Sequence, residues 1–301
     1  MVEYMNKTKT LVIINPRSGR IKPFEKHFDV CAALMQEGFD VSCFTTQKST
    51  DARRAARELS GDCELIVCRG GDGTLNEVLN GIADSGRRIT VGYIPSGTSN
   101  DFAKTMGIPR SAEAAVKLIA DGSPHPHDTG LFNAQTYFNY TACFGVFTKA
   151  SYATSQKHKN SFGYAAYLTQ GVKELTSIRP VHMRVTCDGT VCEGDYIFGA
   201  VTNALCVGNF LHYDETKVDF NDGVFEVLLA SMPSNPIEFL QLVYGAYRKQ
   251  FDERFITTLT GRDITFESTS PVAWSLDGEY GSSTDFTHIE CIKSGIDIIK
   301  P

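Results

Sequence analysis

Two glycine-rich turns contain the residue types that could bind a phosphate chain. The first is Gly70-Gly71-Asp72-Gly73-Thr74, and the second runs from Ser96 to Asp101. Glycine lets the backbone approach a ligand closely, and a helix that begins after such a turn directs unpaired N–H groups at an anion. A bare carboxylate repels phosphate, so Asp72 and Asp101 indicate that a cation such as Mg²⁺ intervenes. Two other interpretations stay open: Gly-Asp-Gly alone is usually an ordinary turn, and Asp101 could be a first-turn helix acid.

Each turn follows a predicted strand and opens a predicted helix. The strand Leu65–Cys68 leads into the first turn and Thr90–Ile94 into the second, while the β-branched run Thr10–Ile14 is typical of a strand buried on both faces. Strands that alternate with helices predict a three-layered α/β domain with a parallel sheet. Ligands of such sheets bind outside the carboxyl ends of the strands, so one polyphosphate could span both turns.

The sequence pattern changes near Asp121–Asp128, where we predict a domain boundary. Short alternating strands follow, and Asp188-Gly189 is typical of a tight hairpin, so the second domain is predicted to be a mostly antiparallel β-sandwich. His125 and His127 are interleaved with prolines, which favours a solvated loop over a metal pair. The predicted domains are residues 1–128 and 129–293, with the C-terminal strand 294–301 a candidate member of the first. Two helical stretches are predicted in the second domain, Phe162–Thr176 and Pro236–Arg248.

Composition and absent motifs exclude several function classes. The 301 residues carry a formal net charge of −6, so a general nucleic-acid binder is not expected. The nine cysteines are scattered singly, which predicts core thiols in a reducing cytosol rather than a disulfide framework or a zinc ribbon. The sequence has no G-x-S-x-G, H-E-x-x-H, G-x-x-x-x-G-K-[ST] or H-R-D motif, which argues against hydrolase, zincin, P-loop and protein-kinase chemistry.

Six ordered motifs resemble the catalytic domain of the diacylglycerol kinase family, a pattern that bacterial lipid kinases and sphingosine and ceramide kinases share. They are Asn15–Gly19, Gly70–Ile82, Gly92–Pro109, the stretch from His127-Asp128-Thr129-Gly130 to Phe138-Asn139, and the two acidic motifs Asn221–Val224 and Leu276–Glu279. The likeness covers nearly the whole chain.

The resemblance implies a nucleotide domain similar to those of NAD kinases and phosphofructokinases, and a β-sandwich that takes the lipid acceptor. It implies ATP and Mg²⁺ as cofactors and transfer of the γ-phosphoryl group to a lipid hydroxyl, with diacylglycerol as the first candidate acceptor and phosphatidic acid as its product. The residues implied to hold the nucleotide are Asn15, Pro16, Ser18, Gly19, Thr46, Gly70, Gly71, Asp72, Gly73, Thr74, Ser96, Gly97, Thr98, Asn100 and Asp101.

The resemblance also assigns roles to the acidic residues. Glu279, helped by Asp277, would take the proton of the acceptor, and Asp72 would join the Mg²⁺-centred network at the phosphates. A second, structural Mg²⁺ would be bound by Asp222 with backbone oxygens of Asp219 and Val224. Without the resemblance, both Asp-Gly dipeptides would be predicted as hairpin turns and Glu279 as a surface acid.

The sequence leaves the acceptor and the class of activity open. The segment Asn203–Phe210 has a single glycine where the family usually carries several, and it belongs to the acceptor side of the family fold. An NAD kinase-like enzyme and a catalytically silent nucleotide-binding regulator are the alternative functions.

No segment approaches the length of a membrane span, so we predict a cytoplasmic protein that reaches its lipid by transient peripheral contact with the inner face of the membrane. A homodimer is compatible with the sequence.

Overall fold

The structure, a computed structural model, describes residues 8–19, 25–146, 179–203, 206–207, 211–212, 219–247 and 252–301. The chain divides into two compact units, Met1–Thr129 with Ile292–Pro301, and Gly130–Cys291. The predicted helix Phe162–Thr176 lies outside the described residues, as do most residues of the Asn203–Phe210 segment. Within the described ranges, no helix combines the length and the apolar character needed to cross a membrane.

A parallel sheet forms the centre of the first unit. Its strands are β1 (Lys9–Ile14), β2 (Asp40–Thr45), β3 (Leu65–Gly70) and β4 (Thr90–Pro95), in the order β2-β1-β3-β4. The last strand of the chain, β15 (Glu279–Lys300), pairs in parallel with β4 through Asp297 and Ile298. Ile14 is aligned with both Thr45 and Arg69. The residues that follow the first four strands therefore leave the sheet at one edge.

Helices cover both faces of this sheet because successive strand residues point to opposite sides. Val12, Ile14 and Val67 pack against α1 (Glu25–Gln36) and α5 (Ala112–Asp121) in one buried cluster. The helices α2 (Asp51–Leu59) and α3 (Asp72–Ser85) pack against each other, and they contact β1 and β3 respectively.

The second unit is built from antiparallel strands. They are β6 (Thr136–Phe138), β7 (Thr141–Gly145), β8 (Val181–Cys187), β9 (Thr190–Thr202), β10 (Cys206–Val207), β11 (Leu211–His212), β12 (Phe225–Ser231), β13 (Ile256–Gly261) and β14 (Asp263–Leu276), joined by the start of β15. The long strands β9 and β14 each pair with β8 along one part and with β7 along another. Register shifts between Glu267 and Val272 and between Ala273 and Ser275 interrupt the β14–β15 ladder.

Aromatic side chains fill the core of the second unit. The Trp274 ring lies edge-on to Phe266, Phe144 and Phe132 at centroid distances of 4.9, 5.0 and 5.7 Å. Ring pairs at such distances contribute about 0.5–1.5 kcal/mol each beyond the area that they bury. On the other face of the sheet, Leu228 and Ala230 belong to a smaller cluster with Leu242 of α6 (Pro236–Tyr247).

The stretch around the predicted domain boundary is a strand, so the prediction of a solvated loop for His125 and His127 is wrong. Residues Ser123–Phe132 form β5, and His127 and Asp128 are buried within it. The His127 ring packs edge-on against Phe102 of α4 (Asp101–Thr105) at 5.3 Å, and the Asp128 carboxylate accepts the backbone N–H of Ser294. Proline and histidine types favour a loop locally, but packing partners from distant parts of the first unit outweigh that preference.

Candidate active site

The turn after β1 is connected to both glycine-rich turns. Asn15 donates its side-chain amide to the Thr74 hydroxyl at 2.9 Å and its backbone N–H to the carbonyl of Arg69. The hydroxyl of Ser18 lies 2.5 Å from that of Ser96. Hydrogen bonds from one turn therefore reach the first residues beyond β3 and β4, which brings all three turns together at the carboxyl edge of the sheet.

The backbones of these turns approach so closely that only glycine fits. Gly19 has φ +74°, and a Cβ there would lie 2.1 Å from the carbonyl oxygen of Ser96. A Cβ on Gly97 would lie 2.7 Å from the Cα of Gly71. Glycine at these positions thus lets the backbones of the turns meet, which is what a backbone cradle for a phosphate chain requires.

Asn100 closes the turn that follows β4. It has φ +48°, a left-handed conformation that asparagine tolerates, and it is buried. Its side-chain oxygen accepts the N–H of Gly97 at 2.9 Å and its amide donates to the carbonyl of Gly97 at 2.8 Å. The turn is therefore preorganised by its own sequence. The Arg110 guanidinium adds a bond to the carbonyl of Thr98 at 3.2 Å.

The carboxylate of Asp72 connects the two glycine-rich turns. Its oxygens accept the backbone N–H groups of Asp101 at 3.0 Å and of Phe102 at 3.3 Å. These N–H groups open α4, whose N-cap residue provides no side-chain cap of its own. Asp72 thus caps the helix that begins beyond the second turn, in addition to any role toward a ligand. Asp101 forms an ion pair with Lys104 at 2.7 Å.

Thr46 lies at the same edge, directly after β2, and the loop behind it is held by two carboxylates. Its backbone N–H donates to the carbonyl of Ile14. Asp51 accepts the N–H groups of Gln47 and Lys48 at 2.9 and 3.1 Å, and these bonds lower the pKa of its carboxyl group. The loop is therefore most stable when Asp51 is ionised, and this contribution is lost as the pH falls through its lowered folded-state pKa.

Glu77 of α3 supplies the second carboxylate. It accepts the N–H groups of Thr50 at 2.9 Å and of Ala52 at 3.1 Å. Thr50 is the N-cap residue of α2, but its side chain makes no cap bond. The helix that carries Asp72 thus also fixes the start of the helix behind Thr46.

The contact between Gly71 and Gly97 leads to a first prediction. An alanine at position 97 would press its Cβ against Gly71 and against the side-chain oxygen of Asn100, both at 2.7 Å. Overpacking of this kind costs about 1–3 kcal/mol, so if these turns bind ATP, as the resemblance implies, Gly97→Ala should raise its Kd by about 10–100-fold. Gly61→Ala is the matched control because its nearest contact would be an ordinary 3.6 Å. Titration calorimetry checks both variants, and equal ATP affinity in the two would mean that the Gly71–Gly97 contact does not shape a nucleotide site.

In the second unit, Asp277 and Glu279 have very different surroundings. Asp277 is buried at the hairpin between β14 and β15 with φ +51°. Its carboxylate accepts the backbone N–H and side-chain amide of Asn139 at 2.8 and 2.9 Å, and the N–H groups of Tyr140 and Thr141 at 3.0 and 3.2 Å. Each oxygen of this carboxylate thus accepts two N–H donors, which fixes the hairpin against the chain between β6 and β7. Glu279 is exposed at the first position of β15.

The turn before β12 places both of its aspartates at the surface. Asp219 accepts the N–H of Asn221 at 3.1 Å, and Asp222 accepts the N–H of Val224 at 3.0 Å. These are side-chain turns of the kind that Asp-Gly sequences form. Among the described residues, no cluster of three or more His, Cys, Asp or Glu side chains could hold a metal ion. The ligand set implied by the resemblance has one carboxylate and two backbone oxygens, so it is not of that type.

Three contributors to the site were missed by reasoning from sequence. Asp51 and Glu77 hold backbone N–H groups of the loop behind Thr46, and Asn139 donates to Asp277. Asp51 could have been found, because an acid at the first position of a helix commonly accepts nearby N–H groups. Glu77 and Asn139 have no local signal, since their partners are 27 and 138 positions away.

Comparisons with known proteins agree with these observations. Residues 9–132 match the family model for the diacylglycerol kinase catalytic domain, and residues 141–299 match that for the YegS C-terminal NAD kinase beta sandwich-like domain. The diacylglycerol kinase of Bacillus subtilis (strain 168) is 36% identical over 275 residues, which cover 90% of this chain and 89% of that protein. The diacylglycerol kinase of Staphylococcus carnosus (strain TM300) is 31% identical over 301 residues, which cover 98% and 96%.

Two crystal structures from Bacillus anthracis str. Sterne share the fold. One superposes with a TM-score of 0.82 at 24% identity and covers 98% of this chain and 97% of its own. The other, of a diacylglycerol kinase, has a TM-score of 0.76 at 24% identity, with coverage of 99% and 98%. Together with the sequence matches over nearly the full length, this means that the chain belongs to the diacylglycerol kinase catalytic-domain family.

Proposed function

We propose that this protein is an ATP-dependent lipid kinase that transfers the γ-phosphoryl group of ATP to a lipid hydroxyl, with diacylglycerol as acceptor and phosphatidic acid as product. The first unit, which resembles the nucleotide domains of NAD kinases and phosphofructokinases, binds ATP, and the sandwich unit takes the acceptor. The names of the relatives support the acceptor class.

The observation that carries the proposal is the meeting of three turns at one edge of a parallel sheet. The close approach of Gly19 to Ser96 and of Gly71 to Gly97 brings the turn backbones together at the place where such sheets bind ligands. Backbone N–H groups of the turns would hold the phosphate oxygens, and Thr46 would contact the nucleotide from the end of β2. This donor set fits a polyphosphate. Asp72 and Asp101 would hold Mg²⁺ with ATP, and the ion supplies positive charge that offsets the charge on the phosphoryl oxygens.

The acceptor is activated by a carboxylate in the second unit, and Glu279 fits this role better than Asp277. The exposed carboxylate of Glu279 takes the hydroxyl proton while the acceptor oxygen bonds to the γ-phosphorus, the bond from that phosphorus to the bridging oxygen breaks, and ADP leaves. Asp277 instead positions the hairpin through its bonds to Asn139, Tyr140 and Thr141.

The proposal is tested by incubating the enzyme with γ-labelled ATP and each member of a lipid panel in mixed micelles. The panel contains dioleoylglycerol, monoacylglycerol, sphingosine, ceramide and a polyisoprenol, with NAD as a separate acceptor. Chromatography should show label in phosphatidic acid. Label in NADP would favour an NAD kinase-like enzyme, and ATP binding without any labelled product would favour a silent regulator.

We infer that the acceptor is reached by peripheral contact with the bilayer, because the acyl chains of diacylglycerol keep it there. Sedimentation with vesicles that contain dioleoylglycerol checks this inference. Vesicles should carry the protein down with them, and turnover should depend on the surface density of diacylglycerol. Equal turnover at constant bulk and variable surface density would contradict it.

Asp222 provides a test of the second metal site. If its carboxylate binds a structural Mg²⁺, Mg²⁺ at about 100 times its Kd should stabilise the fold by about 2.7 kcal/mol, and Asp222→Ala should abolish the rise in Tm. Asp219→Ala is the matched control, because Asp219 is proposed to contribute only its backbone oxygen and should keep the effect. Thermal melts with and without Mg²⁺ measure both, and a rise in Tm that survives in Asp222→Ala would leave Asn221–Val224 as an ordinary turn.

A further inference from the structure

The helix α6 of the sandwich unit has an exposed face that carries no charge. The side chains of Ile237, Leu240 and Tyr244 are 69%, 37% and 55% exposed, and Gln241 beside them is exposed as well. These four positions are spaced i, i+3, i+4 and i+7, so they line one side of the helix and form a stripe, the α6 stripe. Single exposed apolar side chains are ordinary, but a continuous group of them marks a contact surface.

The rest of the helix is engaged by the fold. Leu242 packs into the buried cluster on β12. Asn235 caps the first turn, because its side-chain oxygen accepts the N–H groups of Ile237 and Glu238 at 3.1 and 3.0 Å. Glu238 is the only charged residue among the twelve of the helix, and its carboxylate accepts the N–H of Ser234 at 2.7 Å. The one charge of α6 therefore stabilises the start of the helix and is not part of the α6 stripe.

The helix also lies beside the segment that the resemblance assigns to the acceptor. It contacts β11, the strand Leu211–His212. That strand pairs with β10, whose residues Cys206 and Val207 belong to the Asn203–Phe210 segment. The α6 stripe is thus carried by a neighbour of the part of the sandwich that the acceptor is expected to reach.

From these observations we propose that the α6 stripe is the surface by which the protein docks on a lipid bilayer. The inference rests on the proposed function, because a kinase whose acceptor is diacylglycerol must contact the bilayer that holds this lipid. Aliphatic side chains together with a tyrosine are typical of helices that lie in a membrane interface. The stripe is uncharged and the chain has a formal net charge of −6, so uncharged phosphatidylcholine is the lipid that fits it.

A second copy of the chain fits the α6 stripe less well. A helix of twelve residues is about 18 Å long and about 10 Å wide, so one face covers roughly 180 Å². A stable dimer buries about 800 Å² on each partner. The stripe alone is therefore too small for a stable protein interface, whereas membrane binding grows with whatever apolar area is inserted.

Sedimentation with phosphatidylcholine vesicles that contain no diacylglycerol tests the docking without any turnover. The wild-type protein should sediment with them equally at low and high salt, because the contact is apolar. The double variant Ile237→Ser with Leu240→Ser should bind at least about 10-fold more weakly, since most of the aliphatic area of the stripe is removed. Leu59→Ser is the matched control and should bind like the wild type, because Leu59 is half exposed on α2 but its exposed neighbours Arg57 and Glu58 are charged.

A tryptophan in the stripe measures insertion independently of these losses. Trp274 is the only tryptophan of the chain and is buried in the sandwich core, so a new one reports its own surroundings. The emission of Leu240→Trp should shift to shorter wavelength with the same vesicles and should be quenched by brominated phosphatidylcholine, because the indole would enter the interface. Leu59→Trp should show neither change.

Dioctanoylglycerol, a short-chain acceptor used below its aggregation concentration, separates docking from catalysis. The double variant should phosphorylate it as fast as the wild type, but should lose turnover on dioleoylglycerol in dilute vesicles. If the wild type forms no product from dioctanoylglycerol, the proposed function is contradicted, whereas the sedimentation and emission results decide the docking by themselves.

The docking proposal is wrong if the double variant binds vesicles like the wild type, or if vesicles leave the emission of Leu240→Trp unchanged. It is equally wrong if that emission shifts with protein concentration alone, which would mean that a second copy of the chain covers the α6 stripe.

Discussion

Replacing Glu279 with Gln should lower kcat by about 10²–10⁴-fold, the usual contribution of a general base. The amide has nearly the shape of the carboxylate but cannot take the acceptor proton. Because that interaction develops mainly in the transition state, kcat and kcat/KM for the lipid should fall together, while the Kd for ATP should stay unchanged. Glu279 is exposed at the start of β15, so the Tm should not change. Steady-state kinetics on mixed micelles and a thermal melt measure these quantities.

The variant Asp277→Asn tests whether the general base is Glu279 or the neighbouring Asp277. The carboxylate of Asp277 holds four donors in a buried hairpin, and an amide would turn its own N–H₂ toward some of them. Each buried donor left without an acceptor costs about 1–3 kcal/mol, so this variant should show a large fall in Tm. Its kcat, measured well below the new Tm, should remain far above that of Glu279→Gln. The opposite pattern, a stable but inactive Asp277→Asn beside an active Glu279→Gln, would make Asp277 the base.

Much of the first unit could be predicted because its signals are local. The β-branched run at Thr10–Ile14 and the glycines of both turns fix backbone preferences within a few residues. The strands β3 and β4 lead directly into the turns at Gly70 and Ser96 for this reason. The Asp188-Gly189 hairpin could be predicted in the same way, because Asp and Gly tolerate the positive φ values of +45° and +85° that they adopt between β8 and β9.

The contacts that complete the site could not be predicted, because they join positions far apart in the sequence. Asp277 and Asn139 are separated by 138 residues, and nothing in a Leu-Asp-Gly-Glu stretch indicates that its aspartate points inward to meet an asparagine. The strand β5 was predicted as a loop for the same reason, since its packing partners are distant in the sequence. Burial of His127 against Phe102 and the bond from Ser294 to Asp128 depend on tertiary packing. Local propensity decides turns well and long-range pairing poorly.

Asp72→Asn should lower kcat by about a hundredfold or more while the protein still folds. The substitution also affects a helix cap, because the Asp72 carboxylate accepts the N–H groups of Asp101 and Phe102. The amide keeps one acceptor oxygen and loses the other, so part of the helix cap is lost at a cost of about 1 kcal/mol. A loss of activity could therefore come from the missing charge or from a displaced turn, and kinetics of this variant alone would not distinguish them.

Asn100→Gly is the variant that distinguishes these causes. It removes both side-chain bonds to Gly97 and loosens the same turn, but it leaves the charge of the site unchanged and tolerates the left-handed backbone at that position. If Asp72 acts through its charge, Asp72→Asn should lose far more kcat than Asn100→Gly, although both lower the Tm by a similar amount. If the two variants lose kcat equally and bind ADP equally weakly, Asp72 serves only to hold α4 against the first turn. In that case the carboxylate charges that the transfer requires would be those of Glu279 and Asp101.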